Sequence, residues 1–335
     1  MTNRLKIKNT LKMLTMSLGV TLSTSSILFA ANPEHLEHPH GPGTFMVEYQ
    51  FMRMNMDGIR TGSTDIAVED VTAANGLYNH LMSPTAMTMD MHMLMPMYNI
   101  TEDISVMIMA MYTKKSMDMI NRAGAASIME TSGIGDTEVG FNYKFLDNQL
   151  AASFGLSIPT GSVEATVLMN NNEIRAPYAM QLGSGTFDAK PSITYLGAFF
   201  DLRYGAQGSY TYRIGENSAG YAQGNSIDFQ TWIRKTFFNV VFSADLKFKY
   251  SGEIDGKDDL IMQTMTMPTG MTGRAAPPAI PTNYGGKTAV MGFGVAYPIS
   301  MFNIGIKAGV PVYQNLNGLQ MKHKWSAAVN LTAMY

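Results

Sequence analysis

The chain has 335 residues, with 24 Lys and Arg against 26 Asp and Glu and no Cys. A formal net charge of −2 gives no electrostatic case for a nucleic-acid partner, and the lack of Cys excludes a disulfide scaffold, a thiolate metal site and a Cys nucleophile. Apolar residues at 46% suffice for a core and exclude wholesale disorder, whereas charged residues stand at only 15% and Met reaches 30.

At the N-terminus Arg4, Lys6, Lys8 and Lys12 form a basic stretch, Leu14–Phe29 is uncharged and apolar to small, and Ala30-Ala31 closes it. That layout predicts a secretory signal peptide over residues 1–31. Ser and Thr dilute the run too far for an anchor helix. Residues 32–43 form a His-containing segment carrying His35, His38 and His40. No later stretch holds the ~18 apolar residues that a membrane helix needs. A secreted chain of this kind is either periplasmic or an outer-membrane barrel.

Side-chain alternation favours the barrel. In Phe237–Tyr250, Phe238, Val240, Phe242, Ala244, Leu246, Phe248 and Tyr250 share one face, while Asn239, Ser243, Asp245, Lys247 and Lys249 share the other. Phe302–Val312 and Lys324–Tyr335 repeat the pattern, the latter with Trp325, Val329, Leu331 and Tyr335 on its apolar face. Period two means strands with one apolar and one polar side. A last strand ending on an outward aromatic resembles the C-terminal signal of bacterial outer-membrane barrels.

The same pattern predicts twelve strands within 44–335: Thr44–Met56, Pro84–Tyr98, Asp103–Lys115, Asp136–Leu146, Gln149–Pro159, Ser184–Leu196, Phe199–Arg213, Ala222–Lys235, Phe237–Tyr250, Tyr284–Pro298, Phe302–Tyr313 and Lys322–Tyr335. Tight links such as Asp147–Asn148 alternate with long ones, Asp57–Ser83, Ser116–Gly135, Thr160–Gly183 and Ser251–Asn283. Short periplasmic turns and long extracellular loops are the mark of an antiparallel transmembrane β-barrel in the bacterial outer membrane. Its partners are then outer-membrane lipid, the barrel assembly machinery and a small-molecule or metal-ion solute. A soluble sandwich has no need of aromatics at both ends of its apolar faces.

With aliphatic faces toward lipid, the polar faces line the lumen. They place Glu48, Asp90, Glu138, Asp188, Asp201, Asp228 and Asp245 inside with Lys144, Lys190, Arg203, Arg234, Lys247, Lys249, Lys307 and Lys324. That near balance argues against strong charge selection and equally suits ion pairs that brace the wall.

Methionines gather on the early strands. Outward Phe45, Val47, Tyr49 and Phe51 put Met46, Met52, Met54 and Met56 inside; outward Ile104, Val106 and Ile108 put Met107, Met109 and Met111 inside. In Pro84–Tyr98 the even positions hold Asp90 and His92, and the odd ones hold Met87, Met89, Met91, Met93, Met95 and Met97. Burying Asp90 in lipid costs several kcal/mol, roughly, so the expectation is Asp90 and His92 inward and this Met ladder outward. Met117, Met119, Met129, Met262, Met265, Met267 and Met271 fall in expected loops. Thioether and imidazole suit Cu(I), which makes His35, His38, His40, Met52, Met54, Met56, Asp90, His92, Met107, Met109 and Met111 candidate copper ligands. The blander reading is that Met fills an irregular lumen.

No enzyme signature stands out, and no other cofactor is implied. No Ser lies two positions after His80, His92 or His323, and G-x-S-x-G, H-E-x-x-H and the P-loop are missing. Gly133-Ile134-Gly135-Asp136 and Gly183-Ser184-Gly185 fit turn geometry better than phosphate binding.

Three motifs carry a family resemblance: Ser132-Gly-Ile-Gly-Asp136 entering a strand, Ser157-Ile-Pro-Thr-Gly-Ser162 leaving one, and Gln181-Leu-Gly-Ser-Gly185 before Asp188. With them the chain resembles the outer-membrane transporters grouped as the phenol-degradation meta-pathway family. Met52-Arg-Met-Asn-Met-Asp-Gly58 and Met87-Thr-Met-Asp-Met-His-Met93 resemble a Met-rich, copper-associated branch of it. The resemblance implies a barrel that passes a small solute, aromatic or apolar. Copper binding or export is the alternative, and a closed structural barrel is a third.

Overall fold

The computed structural model describes residues 41–335 apart from 170–171, 267–269 and 271. The expected signal peptide and His35, His38 and His40 lie outside the described residues. Eleven strands close a ring: β1 (Phe45–Gly62), β2 (Met82–Asn99), β3 (Ile104–Asn121), β4 (Thr137–Phe145), β5 (Leu150–Ile158), β6 (Phe187–Phe199), β7 (Leu202–Ile214), β8 (Ser226–Phe237), β9 (Val240–Ser251), β10 (Gly286–Ile299) and β11 (Phe302–Met334). Neighbours pair antiparallel in chain order, and β11 closes on β1. Two further strands of this sheet lie outside the ring, and among the described residues three small two-stranded sheets lie in the long loops. Thr64–Ile66 folds back on the far end of β1, and Ala126–Ile134 pairs with the far half of β3.

The twelve expected strands become eleven because the last two are one. β11 runs 33 residues. Its first arm pairs with β10 as far as Leu316, and its second pairs with β1 from Leu316 onward. Gly318 reverses the chain between them at φ +51°, where a Cβ would lie 2.1 Å from the Asn283 Oδ1. Each arm therefore does the work of a strand.

Several expected loops are also shorter than their sequence suggested. β1 continues to Gly62 and β3 to Asn121, so Met117 and Met119 lie on a strand and Met129 on the strand beside it. At the other end of the barrel the turns are tight. They use left-handed residues at Leu146–Asn148, Phe200, Phe238–Asn239 and Ser300, the geometry that two-residue hairpins need.

The outer face is apolar. On β3 it runs from Ile104 to Tyr112, about 26 Å along the strand at ~3.3 Å per residue, close to the ~25 Å apolar band of outer-membrane barrels. Tyr49, Phe51 and Tyr112 mark its upper edge. Beyond them the outer face turns polar, with Arg53, Asp90, Lys114 and Glu130.

The expected orientation of β2 is reversed. Met87, Met91, Met93, Met95 and Met97 are buried toward the lumen, and His92 faces out. Register enforces this, because directly paired residues share a face. Met52 pairs with Met91 and Met54 with Met89, while outward Phe51 pairs with His92 and Arg53 with Asp90. The penalty for an outward Asp90 falls away for two reasons. It lies above the aromatic edge, and Arg53 grips both its oxygens at 2.6 Å. His92 bonds to the Tyr49 hydroxyl at 2.8 Å and packs on Phe51 with ring centres 5.0 Å apart.

Lys324 is also exposed, not inward. The register jumps from Asn55↔Trp325 to Met56↔His323, and Lys324 occupies the resulting bulge.

Because the native chain has no Cys, single-Cys spin labels read this orientation directly. Labels at His92→Cys and Leu94→Cys are expected to show high oxygen accessibility in bilayers, and labels at Met91→Cys and Met93→Cys low accessibility. The reverse pattern would return the Met ladder to lipid.

Candidate functional site

The site is the lumen, and its two sides differ in chemistry. One side is a panel of methionine across β1, β2 and β3. Cross-strand rows link Met46, Met97 and Met107, and further up Met56, Met87 and Met117. Pairing continues from Met117 to Met129 on the outlying strand. Of the candidate ligands, Met52, Met54, Met56, Met107 and Met109 are buried inward and Met111 joins them partly buried. Asp90 and His92 are on the opposite face of the sheet and cannot complete a lumenal ligand set with them. Among the described residues no group of three or more His, Asp or Glu is placed to hold a metal ion.

The opposite side is polar and ion-paired. Lys307 meets Asp245 at 2.7 Å, and Lys249 and Lys247 share Asp228 at 3.4 and 3.7 Å; next to the panel itself, Lys190 meets Glu138, the cross-strand partner of Met109, at 2.5 Å. Higher up, Arg213 pairs with the buried Asp188, which also accepts from the Thr186 hydroxyl at 2.7 Å. Signs stay nearly balanced, so the wall is braced by its own charges. A cavity of about 420 Å³ fills this half of the lumen, from Asp201 and Ser300 at the short-turn end up to His323.

Above that cavity the long loops fold inward as a cap. The 3₁₀ turn Tyr178–Met180 and the turns Pro277–Ala279 and Pro281–Asn283 lie inside the rim. Lys115 holds the first of them. Its ammonium donates to the carbonyls of Ala179 at 3.0 Å and Gln181 at 2.5 Å, while the Thr131 hydroxyl donates to Met180 at 2.7 Å. Two smaller cavities, about 100 and 40 Å³, follow the methionine panel upward between it and the cap.

The three glycine motifs meet at one knot beside this cap. Asp136 accepts from the Gly161 amide at 3.0 Å, the Ser184 amide at 2.7 Å and the Ser184 hydroxyl at 2.9 Å. Gly161 and Gly183 approach so closely that a Cβ on Gly183 would lie 2.6 Å from the Gly161 carbonyl oxygen. The motifs thus fasten loop to rim, as turn chemistry suggested. Replacing Lys115 by Met removes the two hydrogen bonds that it donates to the cap and takes its own buried charge away with them. Single-channel conductance is expected to rise severalfold at unchanged folded yield; an unchanged trace would mean that Lys115 does not hold the cap.

The far loops carry their own buried imidazole. His80 donates from Nδ1 to the Ala275 carbonyl. Burial lowers its pKa below the usual 6.5, and Arg274 and Arg122 add to the effect against that hydrogen bond. A depressed folded-state value means that the folded loop binds fewer protons than the unfolded one. Its stabilisation is therefore full above about pH 6.5 and lost as pH falls below that. Hydrogen-exchange protection factors around Leu81 and Ala275, which are corrected for the intrinsic pH dependence of exchange, are expected to fall between neutral and acidic pH, and His80→Gln should flatten that response.

Lys115, Asp136, Arg213 and His323 were not singled out from the sequence as site residues. Lys115 was inside the range of an expected strand, and Asp136 inside a quoted motif. Their partners are remote in the chain.

The apolar belt, closed antiparallel ring and polar lumen define a transmembrane β-barrel of the bacterial outer membrane. The crystal structure of an outer-membrane channel from Pseudomonas putida F1 is similar with a TM-score of 0.60 at 12% identity, over 89% of this chain and 98% of that one. The P. putida toluene transporter TodX gives a TM-score of 0.47 at 8% identity, over 91% and 93%. No family model and no curated protein matches the chain.

Proposed function

We propose that the barrel conducts small apolar or aromatic molecules through the outer membrane. The methionine panel carries this reading. On β2 the methionines from Met87 to Met97 face the lumen in unbroken succession, flanked by methionines of β1 and β3 among which Glu48, Gln50 and Lys115 are set, and the two small cavities lie along this strip between the large chamber and the cap. Thioethers contact aromatic rings favourably and adapt their shape by rotation. A ring burying on the order of 100 Å² against such a wall gains about 2.5 kcal/mol. That corresponds to binding weaker than millimolar, strong enough to enter and weak enough to leave. The ion-paired wall opposite stays in place because its charges are already partnered. The family resemblance of the glycine motifs points to the same solute class.

The test is uptake of labelled toluene by cells whose other small-solute barrels are deleted. Expression of this chain is expected to raise uptake. Met91→Lys with Met109→Lys should cut it severalfold at equal barrel abundance, and the corresponding Leu pair should preserve it. Equal uptake with and without the barrel would overturn the proposal.

A further inference from the structure

A second chemistry is built into the upper end of the methionine panel. Strand parity alone would turn His323 outward: Trp325 faces lipid, so its i−2 neighbour should as well. The bulge at Lys324 reverses this. Trp325 remains outward opposite Asn55, and His323 comes inward opposite Met56. Bulges commonly re-aim a side chain in this way.

The backbone of His323 is then pinned. Gln314, on the other arm of β11, donates from Nε2 to the His323 carbonyl at 3.0 Å and accepts the His323 amide at 2.9 Å. The imidazole is left unused. The residue is 7% exposed, and neither ring nitrogen has a hydrogen-bond partner. The Trp325 main chain is near the ring but outside hydrogen-bond geometry. A buried polar group left this way asks for a bound partner.

The surrounding side chains define what that partner is. Met56 is the direct cross-strand neighbour, Met54 is its inward neighbour on β1, and Met321 precedes His323 on the same inner face. Cβ atoms at directly paired positions lie about 4.5–5.5 Å apart. Bonds of about 2.0 Å to nitrogen and 2.3 Å to sulfur, of the order seen for zinc, fit between such side chains. The donors are all neutral, and three of the four are thioethers. That set suits soft d10 monovalent ions and suits Ca, Mg or Zn poorly.

We propose that His323, Met54, Met56 and Met321 bind a soft monovalent metal ion, Cu(I) or Ag(I), at the extracellular end of the lumen. Neutral donors hold the ion without a carboxylate, so it exchanges readily with the rows of methionine below.

The experiment uses refolded full chain in detergent, loaded with Ag(I), desalted and analysed for bound silver, with titration calorimetry for affinity. Wild type is expected to retain silver, and so is a variant with His35, His38 and His40 changed to Ala. His323→Phe and the triple Met54→Leu, Met56→Leu, Met321→Leu should each weaken binding at least tenfold while keeping heat-modifiable gel mobility. X-ray absorption at the silver edge of the loaded wild type is expected to show nitrogen and sulfur neighbours together. That measurement decides the matter even if a variant misfolds. No retained silver, retention lost only with the tail histidines, or a first shell without sulfur would overturn the proposal. Toluene uptake is read separately, so the two proposals fail independently.

Discussion

β1 and β2 are held together by an unbroken register from Phe45↔Tyr98 to Asp57↔Ala86. Side chains alternate with period two, so a shift of one residue would send every methionine of β2 into lipid and every lipid-facing residue into the lumen. The facing of β1 is set by Phe45, Val47, Tyr49 and Phe51. Through hydrogen bonds that setting passes to β2 and then to β3, where Met97 meets Met107 and Met87 meets Met117. The methionine panel and the seam under the cap both follow from that one alignment.

The facing of most strands was legible in the sequence because one face alone explained each of them. β2 was the exception, since neither of its faces is purely apolar. Read by itself, the strand made lipid burial of Asp90 the larger penalty. The partner that removes the penalty, Arg53, is on the preceding strand, 37 residues away. A related error shortened β1 and β3. Asp57, Ser116 and Asp118 look like loop residues, but above the membrane edge a strand needs no apolar outer face. The bulge at Lys324 was invisible for a different reason. It shows only in the mismatch between two strands, and alternation within Lys324–Tyr335 remains acceptable without it.

The cap lay beyond sequence reading altogether. Its segments were correctly expected to be long loops, and the glycine motifs were correctly assigned to turns. What brings them inside the rim is a set of remote bonds, Lys115 to Ala179 and Gln181, Asp136 to Gly161 and Ser184, and the Asp258 amide to the Tyr178 hydroxyl. Nothing local distinguishes a loop that folds over a lumen from one that stands in solvent. The number of titratable groups in the wall was legible; their pairing was not.

The difference in strand length ties these features together. β1, β2 and β3 each have 18 residues, whereas β4 and β5 have 9. The methionine panel therefore stands above the membrane edge on one side, and the cap leans on it. Met54, Met56, Met87, Met117 and Met119 share one apolar cluster with Met180 and Ala276 of the cap. Separating this seam exposes apolar surface to water at about 25 cal/mol per Å². A hydrated ion drawn into the gap leaves that penalty in place. A solute with an apolar face covers both sides of the gap as it moves and offsets the penalty. In the proposed function the seam closes against water by the same interaction that lets an apolar molecule part it. Methionine suits this better than leucine, because an unbranched, polarizable chain can leave one neighbour and meet another without a rigid cavity forming between.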